Sequence, residues 1–273
     1  MSPWSAFGFA ILLLWLPWLM MPRRRPRELH GFVGLLWCLN AMYGAFWHRL
    51  QVVGTDPLPP EGPAILITNH TCCIDHMLLQ AATRRLLGFI IAKEIYEIWW
   101  FKPFCDLSGC IPVKRNGNDL AAMRAALRAL EQGRVMPVFI EGKITPSAGR
   151  ELGQGKQGAA FLALRTNVPV IPAYVSGTPE SNQIFPSLRT PSNAKVRFGP
   201  FIDLADIRER GEGDRERLSD ATERMMDALR ALRDQVLVDL GEKDQSKKAW
   251  EPSDGSGLED RSLQLSSANS APG

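Results

Sequence analysis

The sequence predicts an α/β fold, in which a mostly parallel or mixed sheet is flanked by helices. It also predicts membrane-associated helices at the N-terminus and a disordered C-terminal tail. Three observations predict this: β-branched apolar runs alternate with segments of helical period, the chain opens on an uncharged stretch, and its last residues are rich in Ser, Gly and Pro. We therefore expect anchoring or interfacial helices over 1–47, an α/β domain over 48–241 and a tail over 242–273.

The first apolar stretch runs from Trp4 to Met21 without a charged side chain, and the arginine-rich PRRRPR follows directly. A cleavable signal peptide carries its cations before the apolar run, so this order favours an uncleaved anchor. As a helix the stretch would be about 27 Å long, which is marginal against a hydrocarbon core of about 30 Å. One transmembrane crossing and an interfacial helix therefore both remain open. A second stretch, Gly31–Trp47, is rich in aromatic residues and fits the membrane interface or an ordinary core.

Six apolar runs bounded by Gly, Pro or Asn predict the strands of the domain. They are 63–69, 88–93, 109–115, 135–140, 168–177 and 194–202. Helical periodicity is clearest over 119–132 and from about 220 to 240. The residues expected to face inward there are Leu120, Met123, Leu127 and Leu130, then Met225, Leu229, Leu232 and Val236. Because helices and strands alternate, functional residues are expected at strand ends.

Composition limits the classes of function. The 32 cationic and 29 acidic residues leave a net charge of +3, which is too small to indicate a nucleic-acid partner. Five cysteines are an odd number at irregular spacing, so a reducing compartment is expected and not a disulfide framework.

The stretch NHTCCIDH (69–76) follows the first predicted strand of the domain. If the chain turns tightly there, Asp75 can hold one ring nitrogen of His70 while the other nitrogen removes a proton from an alcohol. Three other interpretations remain open. His70 and Asp75 could be an ordinary strand-end histidine and a helix N-cap. His70, His76 and the two cysteines could bind zinc, or Cys72 or Cys73 could be the nucleophile of a hydrolase.

Four segments occur in the order of a known family signature. They are NHTCCID (69–75), GCIPVKR ending at Arg115, VFIEGKIT around Glu141 and Gly142, and VPVIPAYV (168–175). Together they resemble the HX4D glycerolipid and lysophospholipid acyltransferase family over roughly 50–204. The resemblance implies an α/β fold that is often preceded by membrane-associated helices.

The resemblance also implies a reaction and its residues. A fatty acyl group would pass from acyl-CoA or acyl carrier protein to the free hydroxyl of a lysophospholipid, with a lysophosphatidate-type acceptor favoured. His70 would be the general base and Asp75 would orient it, while Arg115, Glu141, Gly142 and Lys143 would hold the acceptor's glycerol phosphate. No metal or cofactor is expected. Because the thioester donors are cytoplasmic, we expect the domain on the cytoplasmic side of an inner or plasma membrane.

The sequence departs from the family pattern at two positions. Cys72 stands where the family often has serine, and Ile144 stands where the EG block usually has arginine, so phosphate binding would shift to Lys143 or elsewhere. This EG block looks more like that of enzymes that re-acylate lysophosphatidylethanolamine. A thioester or lipid hydrolase and a non-catalytic lipid-binding protein remain as alternatives. The glycines of GQGKQG (153–158) follow a polar loop and not a strand, so they predict a flexible loop and not a dinucleotide site.

Overall fold

A computed structural model describes residues 31–250 apart from Trp100, 115–119 and 211–212, with side chains described between 34 and 241. The apolar stretch Trp4–Met21, the predicted phosphate ligand Arg115 and the tail from 251 onward lie outside the described residues. The chain divides into two compact units, Met1–Val236 and Leu237–Gly273.

The described elements alternate between strand and helix, as the sequence predicts. The strands are β1 (Gln51–Val53), β2 (Ala64–Thr68), β3 (Ile90–Ala92), β4 (Ile111–Val113), β5 (Val135–Phe139), β6 (Val170–Ser176) and β7 (Lys195–Phe198). The helices are α1 (Gly31–Phe46), α2 (Asp75–Ala82), α3 (Lys93–Tyr96), α4 (Lys102–Ser108), α5 (Leu120–Glu131), α6 (Gly158–Thr166), α7 (Ile184–Arg189), α8 (Ala205–Glu209) and α9 (Asp214–Trp250). The three-residue strand β1 was not predicted, because so short a run has no readable period.

The main sheet has the strand order β1-β7-β6-β2-β5. Strands β6, β2 and β5 are parallel to one another, β7 is antiparallel to β6, and β1 is parallel to β7. The sheet is therefore mixed, and its parallel half has one common carboxyl edge. Strands β3 and β4 form a separate parallel pair, and a bridge between Leu87 and Val135 connects the segment before β3 to β5.

Helices cover both faces of the sheet, so its central strands are buried on both sides. In β2 all five residues are buried, and alternate side chains enter different cores. Ile65 and Ile67 pack with residues of α5, α6 and α9, whereas Ala64 and Leu66 pack with residues of α2. This burial makes the carboxyl edge of the sheet a rigid base for the loops that follow it.

The predicted inward face is confirmed for α9, and in α5 it is wrong only at Leu120, since Leu130 is buried and Met123 and Leu127 pack against the core. Met225, Leu229, Leu232 and Val236 are all buried, although α9 begins earlier than predicted, at Asp214. In α5, Leu120 is 64% exposed, and the buried residues are Ala122, Ala126, Ala129 and Leu130. Helix α5 packs on α6, and alanines permit the close approach of two helix backbones that leucines would prevent.

Helix α1 contains the second apolar stretch of the sequence. Trp37, Cys38 and Ala41 pack against Ala81 of α2, and Trp37 Nε1 donates a hydrogen bond to Gln80 O (3.2 Å). One face of α1 is therefore part of the core. Among the described residues, no helix has both the length and the apolar character that a bilayer crossing requires.

Candidate active site

Two loops begin side by side at the carboxyl edge of the sheet. Thr68, the last residue of β2, is in register with Phe139, the last residue of β5. The loop after β2, residues 69–75, is called here the catalytic loop, and the turn after β5, residues 141–145, is called the EG turn. Because β2 and β5 are neighbouring parallel strands, segments about 70 residues apart in sequence meet at one place.

The catalytic loop brings His70 and Asp75 together. His70 Nδ1 donates a hydrogen bond to Asp75 Oδ2 at 2.8 Å. Asp75 is the first residue of α2, but its carboxylate does not act as the helix cap, since the capping position is Ile74 and makes no side-chain cap bond. The sequence-based pairing of imidazole and carboxylate is therefore present in the structure, and the N-cap interpretation of Asp75 is not.

Asp75 is fully buried and surrounded by donors. Besides the imidazole, it accepts hydrogen bonds from the backbone N–H of Thr71 and Cys72 and from the Thr71 hydroxyl (2.8 Å). Burial alone would raise the pKa of Asp75, but the hydrogen bond and charge of His70 and the Cys72 N–H lower it below its ordinary value. The carboxylate is therefore ionised and rigidly held, as is needed to orient an imidazole and to stabilise its protonated form.

The imidazole of His70 packs one face on an aromatic ring, and one of its nitrogens makes no hydrogen bond to the described residues. Its ring stacks on Phe139, with centroids 3.9 Å apart and planes 18° apart. The side chain is 18% exposed, and among the described residues Nε2 has no hydrogen-bond partner. Nε2 is thus the atom that is available to take a proton from a bound molecule.

Glu141 connects the EG turn to the catalytic loop. It is 1% exposed, and its two carboxylate oxygens accept hydrogen bonds from His70 N (3.0 Å), Thr145 Oγ1 (2.8 Å) and Gly153 N (2.8 Å). Thr145 N in turn donates to His70 O (2.7 Å). The contacts of Glu141 are therefore those of a residue that holds three backbone segments around the dyad.

The GQGKQG segment is a packed loop, and its glycines have packing roles. A Cβ on Gly153 would lie 2.6 Å from Glu141 Oε2, which would displace the carboxylate. Gly142, with φ +62°, adopts a left-handed conformation that favours glycine, and a Cβ there would lie 2.9 Å from Lys156 Nζ. The loop thus places the ammonium of Lys156 over the EG turn. The expectation of a flexible loop is wrong here, because its backbone is bonded to Glu141 and to Ile140 O.

Of the other predicted ligands of phosphate, Lys143 is exposed in the EG turn next to Gly142. Arg115 lies outside the described residues, so its position relative to the dyad stays a prediction. The sequence did not predict Lys156 as a phosphate ligand, because nothing in the GQGKQG segment indicates that its side chain reaches the EG turn.

The cysteines of the catalytic loop have structural surroundings. Cys72 is buried and its Sγ donates to Asp75 Oδ1 (3.1 Å), while burial and the charge of Asp75 raise the pKa of its thiol. Cys73 Sγ donates to Asn182 O (2.9 Å). His70 Nδ1 is directed to Asp75 and not to a thiol, so the geometry favours a base over a cysteine nucleophile. Within the described part of the chain, His, Cys, Asp and Glu side chains form no group of three that could hold a metal.

Two polar contacts that sequence reasoning missed hold the catalytic loop from behind. The Asn69 side chain bonds to both the N–H and the C=O of Val175 (2.8 Å each), which extends the pairing of β2 with β6 by one residue. The Thr71 hydroxyl lies 2.7 Å from that of Thr178, which follows β6. Asn69 and Thr71 stand in the motif itself, but Thr178 is more than 100 residues away and has no local signal.

Comparison with known proteins finds similarity to acyltransferases. A family model described as Acyltransferase matches residues 49–176, which include β1, both loops of the site and β6. The sequence is 25% identical over 177 residues to the chloroplastic 1-acyl-sn-glycerol-3-phosphate acyltransferase LPAT1 of Arabidopsis thaliana, covering 64% of this chain and 48% of the plant protein. It is also 25% identical over 182 residues to the 1-acyl-sn-glycerol-3-phosphate acyltransferase of Streptococcus pneumoniae, covering 64% of this chain and 61% of that protein.

The fold has a solved counterpart in PlsC, the 1-acyl-sn-glycerophosphate acyltransferase of Thermotoga maritima. The TM-score is 0.56 at 19% identity, and the match covers 83% of this chain and 89% of PlsC, which shows that the two folds are alike. This chain spans 48% of the length of its plant relative. Residues 49–176 thus match the Acyltransferase family model, the two named relatives are 1-acyl-sn-glycerol-3-phosphate acyltransferases, and the fold is like that of PlsC.

Proposed function

We propose that this protein transfers a fatty acyl group from a thioester, acyl-CoA or acyl carrier protein, to the free hydroxyl of a lysophospholipid. One observation carries the proposal: a buried, ionised carboxylate holds one nitrogen of His70 at the carboxyl edge of the sheet, and the other nitrogen has no hydrogen-bond partner among the described residues. This is the arrangement of a general base. The names of the relatives favour a lysophosphatidate-type acceptor.

In the proposed reaction the acceptor hydroxyl lies against Nε2 of His70. As the hydroxyl oxygen attacks the thioester carbonyl carbon, Nε2 takes its proton and a new C–O bond forms. The C–S bond then breaks, and the thiolate leaving group receives the proton from the imidazolium. Asp75 stays ionised throughout and stabilises the imidazolium while it exists. No covalent acyl-enzyme is needed in this route.

The acceptor's phosphate is proposed to lie over the EG turn. Lys143 and Lys156 are both exposed there, and the Lys156 ammonium lies close to Gly142. The Lys156 ammonium beside Gly142, together with the exposed Lys143 next to it in sequence, suits a phosphate monoester. Lys156 thereby supplies a cation in the region where the family pattern has the arginine that Ile144 replaces. The same site would accept the diester head group of lysophosphatidylethanolamine, so the head group has to be determined by assay.

His70→Ala tests the proposal. Turnover of labelled acyl-CoA or acyl carrier protein with a panel of lysophospholipids should fall by at least about 10²- to 10⁴-fold, as is typical when a general base is lost. The protein should stay folded, because the backbone bonds of His70 to Glu141 and Thr145 do not involve its ring. Circular dichroism would check this.

His76→Gln is the matched control, since His76 is the neighbouring histidine on α2 and packs against Phe89 instead of joining the dyad. It should keep most of the wild-type turnover. Wild-type-like transfer in His70→Ala would rule out His70 as the base.

A further inference from the structure

Two exposed apolar elements lie on the same edge of the sheet as the catalytic loop. In α7, Ile184 is 41% exposed and Phe185 is 71% exposed. At the end of α1, Phe46 is 67% exposed and Trp47 is 43% exposed. Four large apolar side chains that contact water at two neighbouring elements are unusual for a surface with no partner.

The sheet topology places these two elements together. The strand after α1 begins at Gln51, which pairs with Lys195 at the start of β7, and Lys195 pairs with Ser176 at the carboxyl end of β6. Helix α7 lies between β6 and β7. The end of α1 and α7 are therefore both at the carboxyl edge of β6, which is also the edge from which His70 emerges.

Hydrogen bonds join the two elements to each other and to the site. Tyr43 Oη donates to Leu188 O (2.6 Å), and Ser192 N donates to Trp47 O (3.4 Å). On the other side, Cys73 of the catalytic loop donates to Asn182 O, two residues before α7. The surface formed by Phe46, Trp47, Ile184 and Phe185, called here the lipid-facing surface, is thus held at a fixed position relative to the dyad.

The two sequence segments that carry this surface are basic, and Glu180, which directly precedes the second of them, is paired with Arg150. The segment 181–198 contains Arg189, Lys195 and Arg197 and no acidic residue, and the segment 31–55 contains Arg49 and no acidic residue. Arg189 stands four residues after Phe185 and therefore on the same face of α7. A long cationic side chain beside exposed aromatic and aliphatic groups suits the headgroup region of a bilayer, where the cation meets lipid phosphates.

We propose that the lipid-facing surface inserts into the headgroup region of a bilayer that contains anionic phospholipid, with α7 as a contact separate from the apolar N-terminal stretch. The active site then opens toward the surface in which a lysophospholipid acceptor is dissolved. The proposal concerns bilayer binding and not the reaction. It is tested without substrate, so its failure and the failure of the proposed function are distinguishable.

The first experiment measures binding of the full chain to vesicles by co-sedimentation. Phe185→Ser should lower the partition onto phosphatidylcholine–phosphatidylglycerol vesicles about tenfold, because it removes a large apolar side chain from the bilayer. The matched control is Phe201→Ser, which is also exposed (57%) but lies beside Ile202, opposite the start of β6 and thus at the other edge of the sheet. It should change the partition by less than about twofold.

Arg189→Gln separates the charge from the apolar contact. It should weaken binding about fivefold on vesicles with phosphatidylglycerol and leave binding to phosphatidylcholine alone unchanged. Equal losses of vesicle binding for Phe185→Ser and Phe201→Ser would overturn the proposal. It would also be overturned if neither variant lost binding under conditions in which the wild type dissociates freely from the vesicles. The surface would then be covered by another part of the chain or by a second copy.

A second measurement does not depend on how strongly other segments bind. Phe185→Cys and Phe201→Cys are labelled with an environment-sensitive fluorophore, and the labelled chain without either substitution gives the background from native cysteines. On vesicles, emission from the label at 185 should shift to the blue and that at 201 should not. Emission at 185 that stays as in water while the protein sediments with vesicles would overturn the proposal.

Discussion

At the scale of single residues, the site depends on how a few charges are placed. Asp75 accepts hydrogen bonds from five donors of three residues, which are His70, Thr71 and Cys72. A buried carboxylate without such donors would become neutral and could not stabilise an imidazolium. Lys156 is a second charged group whose position matters. Its ammonium reaches the EG turn from a loop that the family motifs do not include.

Lys156→Gln should raise the KM for a phosphate-bearing acceptor about tenfold and leave kcat nearly unchanged, since a hydrogen bond to a charged group contributes about 1.5–3 kcal/mol to binding. Acyl transfer to lysophosphatidate measures this. Lys102→Gln on α4, also an exposed lysine, is the control and should have no effect. If Lys156→Gln changes the KM of an acceptor without phosphate by the same factor, its ammonium does not bind the phosphate.

At the scale of elements, the EG turn and the catalytic loop form one unit. They are connected by the parallel pairing of β2 with β5 and by the carboxylate of Glu141. The sequence suggests that this glutamate binds the acceptor, whereas in the structure both of its oxygens accept from groups of the protein. Its position therefore favours a positioning role, in which it fixes the backbone that carries His70.

Glu141→Gln tests that role. An amide keeps one acceptor oxygen but turns an NH₂ toward existing donors, so we expect the free energy of unfolding to fall by about 1–3 kcal/mol. The kcat should fall with little change in KM, because the imidazole is displaced and not the acceptor. Chemical denaturation and steady-state kinetics measure the two effects, with the exposed Glu131→Gln of α5 as control. Unchanged stability together with a raised KM would instead indicate direct contact with the acceptor.

At the scale of the whole molecule, two titratable side chains of α2 make folding depend on pH. Burial and the charge of His70 lower the pKa of His76 from 6.5 to about 4. Between those two values the unfolded chain binds a proton at this residue that the folded chain does not bind. Stability is therefore greatest above pH 6.5 and falls as the pH falls toward 4. Asp75, whose pKa is also lowered, adds stability above its ordinary pKa of 3.8 that is lost at still lower pH.

His76→Gln should remove the first of these losses. Between pH 7 and pH 4.5 the wild type should lose about 1–3 kcal/mol more unfolding free energy than the variant. Urea unfolding at the two pH values, followed by circular dichroism, gives both numbers. Parallel losses in the two proteins would mean that His76 titrates in the folded state much as it does in the unfolded chain.

The sequence by itself determined the alternation of strands and helices, and it offered the pairing of His70 with Asp75 as one of four interpretations. Both depend on local features: apolar runs with a readable period, and two residues that one tight turn can bring together. The inward face of α9 follows from the same kind of signal. The family signature gave the expected reaction for a similar reason, because its blocks are short runs that can be recognised along the chain.

Only the tertiary structure decided which distant groups complete the site. Three contacts depend on which strands are neighbours and how the loops cross above them. Glu141 bonds to the backbone of His70, Thr178 supports Thr71, and Lys156 reaches Gly142. The alanine face of α5 and the short strand β1 were also decided by packing partners. These contacts join residues far apart in the chain. Such residues leave no periodic pattern in the sequence, because their separation is set by the fold and not by local geometry.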